Sequence, residues 1–160
     1  MRFTNDLGRM VGMLLFVQLA GLILPFVLLI PLTVPPPGYL ANAAAASFQI
    51  KLAALLLLAN CALTIAISIA VFRLFSRYSQ AAALWLLAVS VIMFMQQAVD
   101  TVHLLSMLSL SQQFTQAGGS DPLFLPLAAS VGATRRWAHL TELLAIDGWI
   151  YSFYAVLYRS

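Results

Sequence analysis

Long apolar runs alternate with short polar links along this chain. Four runs stand out, at about residues 11–32, 52–72, 81–110 and 137–158. A bilayer hydrocarbon core of ~30 Å needs ~20 helical residues, and each run supplies them. The pattern therefore predicts an all-α, integral membrane four-helix bundle that forms a single transmembrane domain over residues 1–160.

The links carry the residues that stop or anchor membrane helices. Residues 35–38, Pro-Pro-Pro-Gly, predict a firm stop after the first run. Arg73 and Arg77 close the second run. A long extracytoplasmic connection is predicted at residues 111–134, with a flexible turn at the Gly-Gly-Ser-Asp-Pro of residues 118–122.

The first run also has some features of a secretory signal peptide. Arg2 and Arg9 could form its basic region, and Ala41-Asn42-Ala43 fits a small-residue cleavage pattern. The apolar run is longer than the usual 7–15 residues of a signal peptide. We therefore expect it to be retained as the first span.

Composition agrees with a membrane location. The chain is 62% hydrophobic and 8% charged, whereas soluble domains carry roughly 25% charged residues. Its basic residues are few and scattered, so the net charge of +3 does not indicate nucleic-acid binding. The single cysteine, Cys61, cannot form an intrachain disulfide, and we expect a small side chain that is buried or faces lipid.

The distribution of Lys and Arg predicts the orientation. With four spans, the two termini and the second link share one side of the membrane, and that side carries five basic residues against three on the other. The positive-inside rule then places both termini in the cytoplasm. The residues counted are Arg2, Arg9, Arg73, Arg77 and Arg159 on the first side, and Lys51, Arg135 and Arg136 on the second.

A polar stripe interrupts the third run. Gln96, Asp100, His103 and Met107 share one helical face by their spacing. Ionisable residues inside a membrane span indicate a functional site by default. Counting the helical rise from the start of the run puts Asp100 and His103 near the outer boundary of the membrane.

The fourth run carries a second ionisable pair at matching depth. His139 and Glu142 lie within its first two turns and share a face with Arg135. Together with Asp100 and His103 they allow several interpretations. One is a cap of interhelical hydrogen bonds and ion pairs, such as Arg135 with Asp100.

The other interpretations of this group involve chemistry. Asp100, His103, His139 and Glu142 could bind a divalent metal such as zinc, manganese or non-haem iron. They could also form a proton or substrate relay. We expect no haem, since two histidines alone are weak evidence for it, and no cofactor is predicted beyond the metal alternative.

Other polar residues lie deeper in the predicted spans. Asp147 is near the middle of the fourth run, where a charge costs ~2.5–3.5 kcal/mol on insertion scales. Tyr151 and Tyr154, or Asn60 and Gln18 from other spans, could donate hydrogen bonds to it. The candidate intramembrane polar residues are Asp147, Asn60 and Gln96. Asn60, Thr64 and Ser68, at steps of four, predict polar contacts between helices.

Three short stretches resemble one bacterial multi-pass family, catalogued as domain of unknown function four-three-eight-six. They are residues 9–16 (RMVGMLLF), residues 74–78 (LFSRY), and the end of the chain from Trp137 and His139 to residues 157–160 (LYRS). The resemblance implies an integral protein of the bacterial inner membrane. Family members usually continue into further spans, so we expect either a shortened member or a part of a longer product. The family has no established activity.

The residues do not indicate an enzyme. No nucleotide-binding loop and no nucleophile–base arrangement is visible in the spacing. We predict a non-enzymatic accessory or assembly subunit whose partners are membrane lipids and other membrane subunits or copies of itself. The alternatives are a small transporter or channel that uses Asp147 with the outer group, and a membrane metal- or cofactor-binding protein built on that group.

Overall fold

The protein consists of helices joined by short links. A computed structural model describes the backbone of residues 2–159 and the side chains of residues 8–158. Arg2 and Arg159, which entered the count of basic residues, lie outside the residues whose side chains are described. The helices are α1 (Arg2–Leu28), α2 (Ile30–Thr33), α3 (Gly38–Asn42), α4 (Ser47–Phe75), α5 (Gln80–Gln116) and α6 (Phe124–Arg159).

Four of these helices are long and apolar enough to cross a membrane: α1, α4, α5 and α6. The residues that the structure describes contain no strand. The predicted all-α, four-helix membrane bundle is therefore confirmed, and the chain is a membrane protein.

Local chemistry explains where the helices begin and end. The Ser79 hydroxyl caps α5 by accepting from the backbone N–H of Ala82 at 3.2 Å. At the other end, Gly118 and Gly119 adopt φ values of 86° and 73°, which favour glycine. The N–H of Gly119 donates to the Phe114 carbonyl at 2.9 Å and closes the last turn of α5. The turn predicted at residues 118–122 is confirmed.

The first span, α1, ends at Leu28, four residues before the predicted end at residue 32; the short helix α2 then continues to Thr33, and the proline-rich link follows it. Val34, at φ −75° and ψ 131°, is extended because the following proline disfavours helical geometry. The chain re-enters a helix at Gly38. Pro25 lies inside α1, and its carbonyl still accepts from the N–H of Leu29 at 2.9 Å.

The third connection is much shorter than the predicted 111–134. α5 runs on to Gln116 and α6 begins at Phe124. The polar residues at the end of α5 remain helical; for example, the Thr115 hydroxyl donates back to the Ser111 carbonyl at 2.9 Å. Pro126 falls in the first turn of α6, where its missing N–H costs no hydrogen bond. At 37 residues, α5 is about 55 Å long and exceeds the thickness of a bilayer core.

Two hydrophobic clusters stabilise the bundle. The base cluster lies near the link between α4 and α5, and the loop-side cluster lies near the first connection. The base cluster contains Val11, Ile67, Val71, Phe75, Ala83, Leu86, Val89, Met93, Trp149, Phe153 and Val156. The loop-side cluster contains Leu29, Leu32, Tyr39, Leu40, Ala43, Ile50, Ala53, Ala54, Leu104, Met107, Leu108, Phe114 and Ala128.

Hydrogen bonds between side chains link neighbouring helices through Thr64 and Ser68, as predicted; among the residues that the structure describes, Asn60 makes no such side-chain bond. Gln18 of α1 donates to the Thr64 hydroxyl of α4 at 2.6 Å. The Ser68 and Ser90 hydroxyls of α4 and α5 lie 2.6 Å apart, and Trp149 of α6 donates to Ser68 at 3.0 Å. Lipid offers no alternative partners, so these bonds favour one arrangement of the helices.

The long helices pack in chain order. α1 contacts α4, α4 contacts α5, and α5 contacts α6 extensively. α1 and α6 therefore lie at the two ends of the packing series. Each of these two helices has a broad face that its immediate neighbour does not cover.

Replacement of Ser68 tests the polar contacts. Ser68→Ala removes the acceptor of the Trp149 indole N–H, so we expect a loss of about 1 kcal/mol of unfolding free energy. Ser106→Ala is the matched control, because Ser106 is exposed on α5 and bonds only its own helix. Reversible unfolding in mixed micelles measures both. Equal losses in the two variants would contradict the proposed role of Ser68.

Candidate functional site

A buried polar layer separates the two hydrophobic clusters. Along α5, the base cluster ends at Met93 and the loop-side cluster resumes at Leu104. Gln97, Asp100 and Thr101 are buried between them. In such a layer, polar groups that need hydrogen-bond or ionic partners replace apolar packing. Its position therefore indicates where a functional site could lie.

Helix α6 supplies the other half of the layer. Arg135, His139 and Glu142 follow the i, i+4, i+7 spacing and face α5. The Arg135 Nε lies 3.4 Å from Asp100 Oδ1, which confirms the ion pair suggested by the sequence. His139 Nδ1 lies 3.4 Å from Glu142 Oε2 within α6.

Asp100, His139 and Glu142 come together. One ligand atom from each of the three lies within 4.8 Å of the other two. Asp100 and Glu142 are only 1% and 3% exposed. The structure thus brings two carboxylates and one imidazole to a single point inside the bundle.

The Asp100 carboxylate lacks hydrogen-bond donors. Neither of its oxygens has a hydrogen-bond partner, and neither does the Arg135 Nε, among the groups that the structure describes. The guanidinium is near enough to offset the charge of Asp100, but its alignment does not form a hydrogen bond. Both oxygens therefore retain the capacity to accept a donor or to ligate a cation.

Two weaker polar contacts belong to this layer, and one of them reaches α4. The Gln97 amide donates to the Thr101 hydroxyl at 3.4 Å, and the Cys61 thiol lies 4.0 Å from the Gln97 carbonyl oxygen. Cys61 is a free, buried thiol, in agreement with the buried alternative of its prediction.

A cavity of about 440 Å³ adjoins this layer. It lies between the first connection and α6, and His139 and Arg135 form part of its wall. No carboxylate is among its described lining residues, so its polar wall is mainly cationic. The lining residues are Leu32, Thr33, Val34, Pro35, Pro36, Tyr39, Met107, Ala128, Ala129, Gly132, Ala133, Arg135, Arg136 and His139.

Tyr39 shapes this cavity, and the sequence analysis missed it. Its side chain is 1% exposed, and its hydroxyl donates to the Ala128 carbonyl of α6 at 3.2 Å. Burial raises the pKa of Tyr39 to about 12, so the phenol remains a donor at physiological pH. In the sequence, a tyrosine beside a Pro-rich link looks like an ordinary interfacial aromatic residue, and nothing signals the contact.

Ser111 anchors the same connection from α5. Its hydroxyl donates to the Leu40 carbonyl at 2.7 Å and accepts from the Ala44 N–H at 2.8 Å. The cavity wall formed by the first connection is therefore tied to both α5 and α6.

His103 and Gln96 lie outside the group, although the sequence placed both on the polar stripe. The described ligand group contains Asp100, His139 and Glu142 but not His103. Both residues are half-buried, while the buried face of α5 passes through Met93, Gln97, Asp100 and Leu104. Gln96 and His103 lie at the edge of that face, while Asp100 and Met107 of the predicted stripe lie within it.

Asp147 lies on the outer surface of the bundle. It is exposed, and it makes no hydrogen bond or ion pair with any residue that the structure describes. The anticipated bonds to Tyr151, Tyr154, Asn60 or Gln18 are not present, and Gln18 bonds to Thr64 instead. The physical reason is that Trp149 and Phe153 pack into the base cluster, which turns the opposite face of α6 outward.

The burial of Asp100 predicts an asymmetric response to mutation. Arg135→Gln leaves a buried carboxylate without a counter-charge, so we expect a loss of about 3–5 kcal/mol of unfolding free energy. Asp100→Asn leaves Arg135, which is 20% exposed and can reach water, so it costs less. The double variant, which carries both changes, should regain part of the unfolding free energy that Arg135→Gln loses. Unfolding in micelles measures these losses of unfolding free energy. Equal losses in the two single variants, with their simple sum in the double variant, would refute the pairing.

Comparison with known proteins connects the chain to one family. A family model described as Domain of unknown function (DUF4386) matches residues 10–160. No curated protein and no solved structure matches the chain. The resemblance found in the three short stretches is therefore confirmed over almost the whole sequence, and the chain belongs to the DUF4386 family of domains of unknown function.

Proposed function

We propose that this chain is a non-enzymatic subunit of a membrane assembly and that the outer face of α6 binds another membrane protein. The proposal rests on the exposure of the Asp147 side chain. It is exposed on α6, away from every buried polar contact of the bundle.

The depth of Asp147 makes this exposure costly in lipid. Arg136 and Arg159 bracket the apolar part of α6. Asp147 is eleven residues from Arg136, or about 16 Å along the helix, which is about half the bilayer core. A carboxylate facing lipid there costs ~2.5–3.5 kcal/mol on insertion scales. A polar group on a partner helix would remove that cost.

The surroundings of Asp147 suit a protein interface. Tyr151 and Tyr154, one and two turns further along, are 77% and 58% exposed. Tyrosine supplies a large apolar ring with a hydroxyl, and it is enriched among residues that dominate binding energy. α6 is also at one end of the packing series, so a partner can approach without displacing another helix.

Charge complementarity favours a different protein over a second copy. The basic side chains described in this chain lie at the edges of the apolar spans or outside them, so an unstaggered copy would not present a Lys or Arg at the depth of Asp147. We therefore propose a partner helix with a Lys or Arg near the middle of its span, where it would pair with the Asp147 carboxylate. The described basic residues are Arg9, Lys51, Arg73, Arg77, Arg135 and Arg136.

The transporter alternative gains no support from this geometry. Asp100, His139 and Glu142 are grouped inside the bundle, whereas Asp147 is on its outer surface. A single transport pathway through these four helices would not include both this buried group and Asp147. For the location, we propose the bacterial inner membrane with both termini in the cytoplasm, on the basis of Arg73 in the last turn of α4 and Arg77 in the link that follows.

Replacement of Asp147 tests the partner proposal. Affinity isolation from native membranes in mild detergent should recover the wild-type chain with a stoichiometric partner. Asp147→Leu should reduce the recovered partner about tenfold or more, the effect of losing at least ~1.4 kcal/mol of binding. Asp121→Asn is the matched control, because it removes a carboxylate in the link rather than on α6.

The isolated Asp147→Leu variant should unfold no more readily than the wild type, since Asp147 has no partner in the described chain. Recovery of the wild type as a lone monomer, or an undiminished partner with Asp147→Leu, would refute the proposal. If the Asp147-dependent species contains only this chain, the partner is a second copy and the heteromeric proposal is wrong.

Cysteine labelling tests the orientation. Ser120→Cys should react with a membrane-impermeant maleimide on intact spheroplasts, because residue 120 follows the third span on the outer side. Gln80→Cys, at the start of α5, should react only after permeabilisation. The buried Cys61 supplies little background. The reverse pattern would overturn the orientation.

A further inference from the structure

The geometry points to a binding site for one divalent transition-metal ion, formed by Asp100, His139 and Glu142 inside the bundle. Such a site is independent of the partner surface on α6. It belongs to the interior of this chain, between α5 and α6.

The three donors are close enough to share one ion. Their ligand atoms lie within 4.8 Å of one another. A point equidistant from three atoms at that spacing is about 2.8 Å from each, against about 2.0–2.2 Å for a bound metal. Side-chain adjustments of under about 1 Å would complete the coordination.

The buried Asp100 carboxylate supplies a second, separate observation. It is 1% exposed, and both of its oxygens lack hydrogen-bond partners within the described protein. Buried side-chain polar atoms ordinarily have at least one hydrogen-bond partner. A bound cation would satisfy the oxygen that faces His139 and Glu142 as well as compensate the charge.

The charges around the site leave room for a cation. With a neutral imidazole, as metal binding requires, the two carboxylates and Arg135 sum to one negative charge. Arg135 lies 3.4 Å from one oxygen of Asp100 and competes with the ion for that carboxylate. The guanidinium therefore weakens metal binding without preventing it.

The donor types indicate the class of metal. One imidazole and two carboxylates suit Zn²⁺, Mn²⁺ or Fe²⁺ and do not suit soft ions that prefer thiolates. Helical bundles hold such ions with carboxylate and histidine pairs at i, i+3, which is the spacing of His139 and Glu142. The cavity that reaches His139 gives an ion and its water ligands a route to the site.

Metal titration of the purified full chain tests this proposal. After removal of metals with a chelator, Co²⁺ should bind at one ion per chain, measured by its visible absorption bands, and Zn²⁺ should displace it. His139→Ala and Glu142→Gln should each raise the Kd by about 100-fold or more, since even the loss of a residue that only orients a metal ligand costs 10–100-fold. His103→Ala and Asp147→Asn are matched controls that should leave the Kd unchanged.

Arg135→Gln supplies a readout that adventitious binding would not show. Removal of the competing charge should lower the Kd by about tenfold. Added Zn²⁺ should also raise the melting temperature of this variant more than that of the wild type, which keeps the test valid if the variant is unstable. The absence of stoichiometric Co²⁺ in the wild type, or equal losses in the His103 and His139 variants, would overturn the proposal.

Discussion

The buried carboxylate of Asp100 is the constraint on which the middle of this bundle depends. A charge buried inside a helical bundle needs a counter-charge from the protein. Arg135 supplies one, from the start of the apolar part of α6. The pairing requires α5 and α6 to pack in one register, and that register also brings His139 and Glu142 to Asp100.

The same requirement explains the other polar contacts. Serine, threonine, glutamine and tryptophan side chains bond across neighbouring helices, and the apolar clusters fill the space on either side of the polar layer. Asp147 is the exception, because its face of α6 has no neighbour in the described chain. The polar groups in the interior thus bond within the protein, although Asp100 does so only in part. On the outer surface, the Asp147 carboxylate is left for a partner to satisfy.

Much of the fold could be predicted from the sequence because its signals are local. Four apolar runs of sufficient length, the Pro-rich stop and the Gly-Gly turn act within a few residues, and the structure contains all of them. The extents of α5 and α6 could not be predicted in this way. Polar residues such as Thr115 continue a helix when their hydroxyls bond to the preceding turn, although their composition resembles that of a loop.

The sequence by itself determined the helices and the face that each residue occupies, because helical periodicity relates neighbours along one chain segment. It therefore placed His139 with Glu142, and the matching depths of the third and fourth spans suggested the pair of Arg135 with Asp100. Only the tertiary structure decided how each helix is rotated against the next. That rotation left His103 outside the group and Asp147 on the outer surface, and it placed Tyr39 against α6. Rotation depends on the packing of two whole surfaces, which no local pattern records.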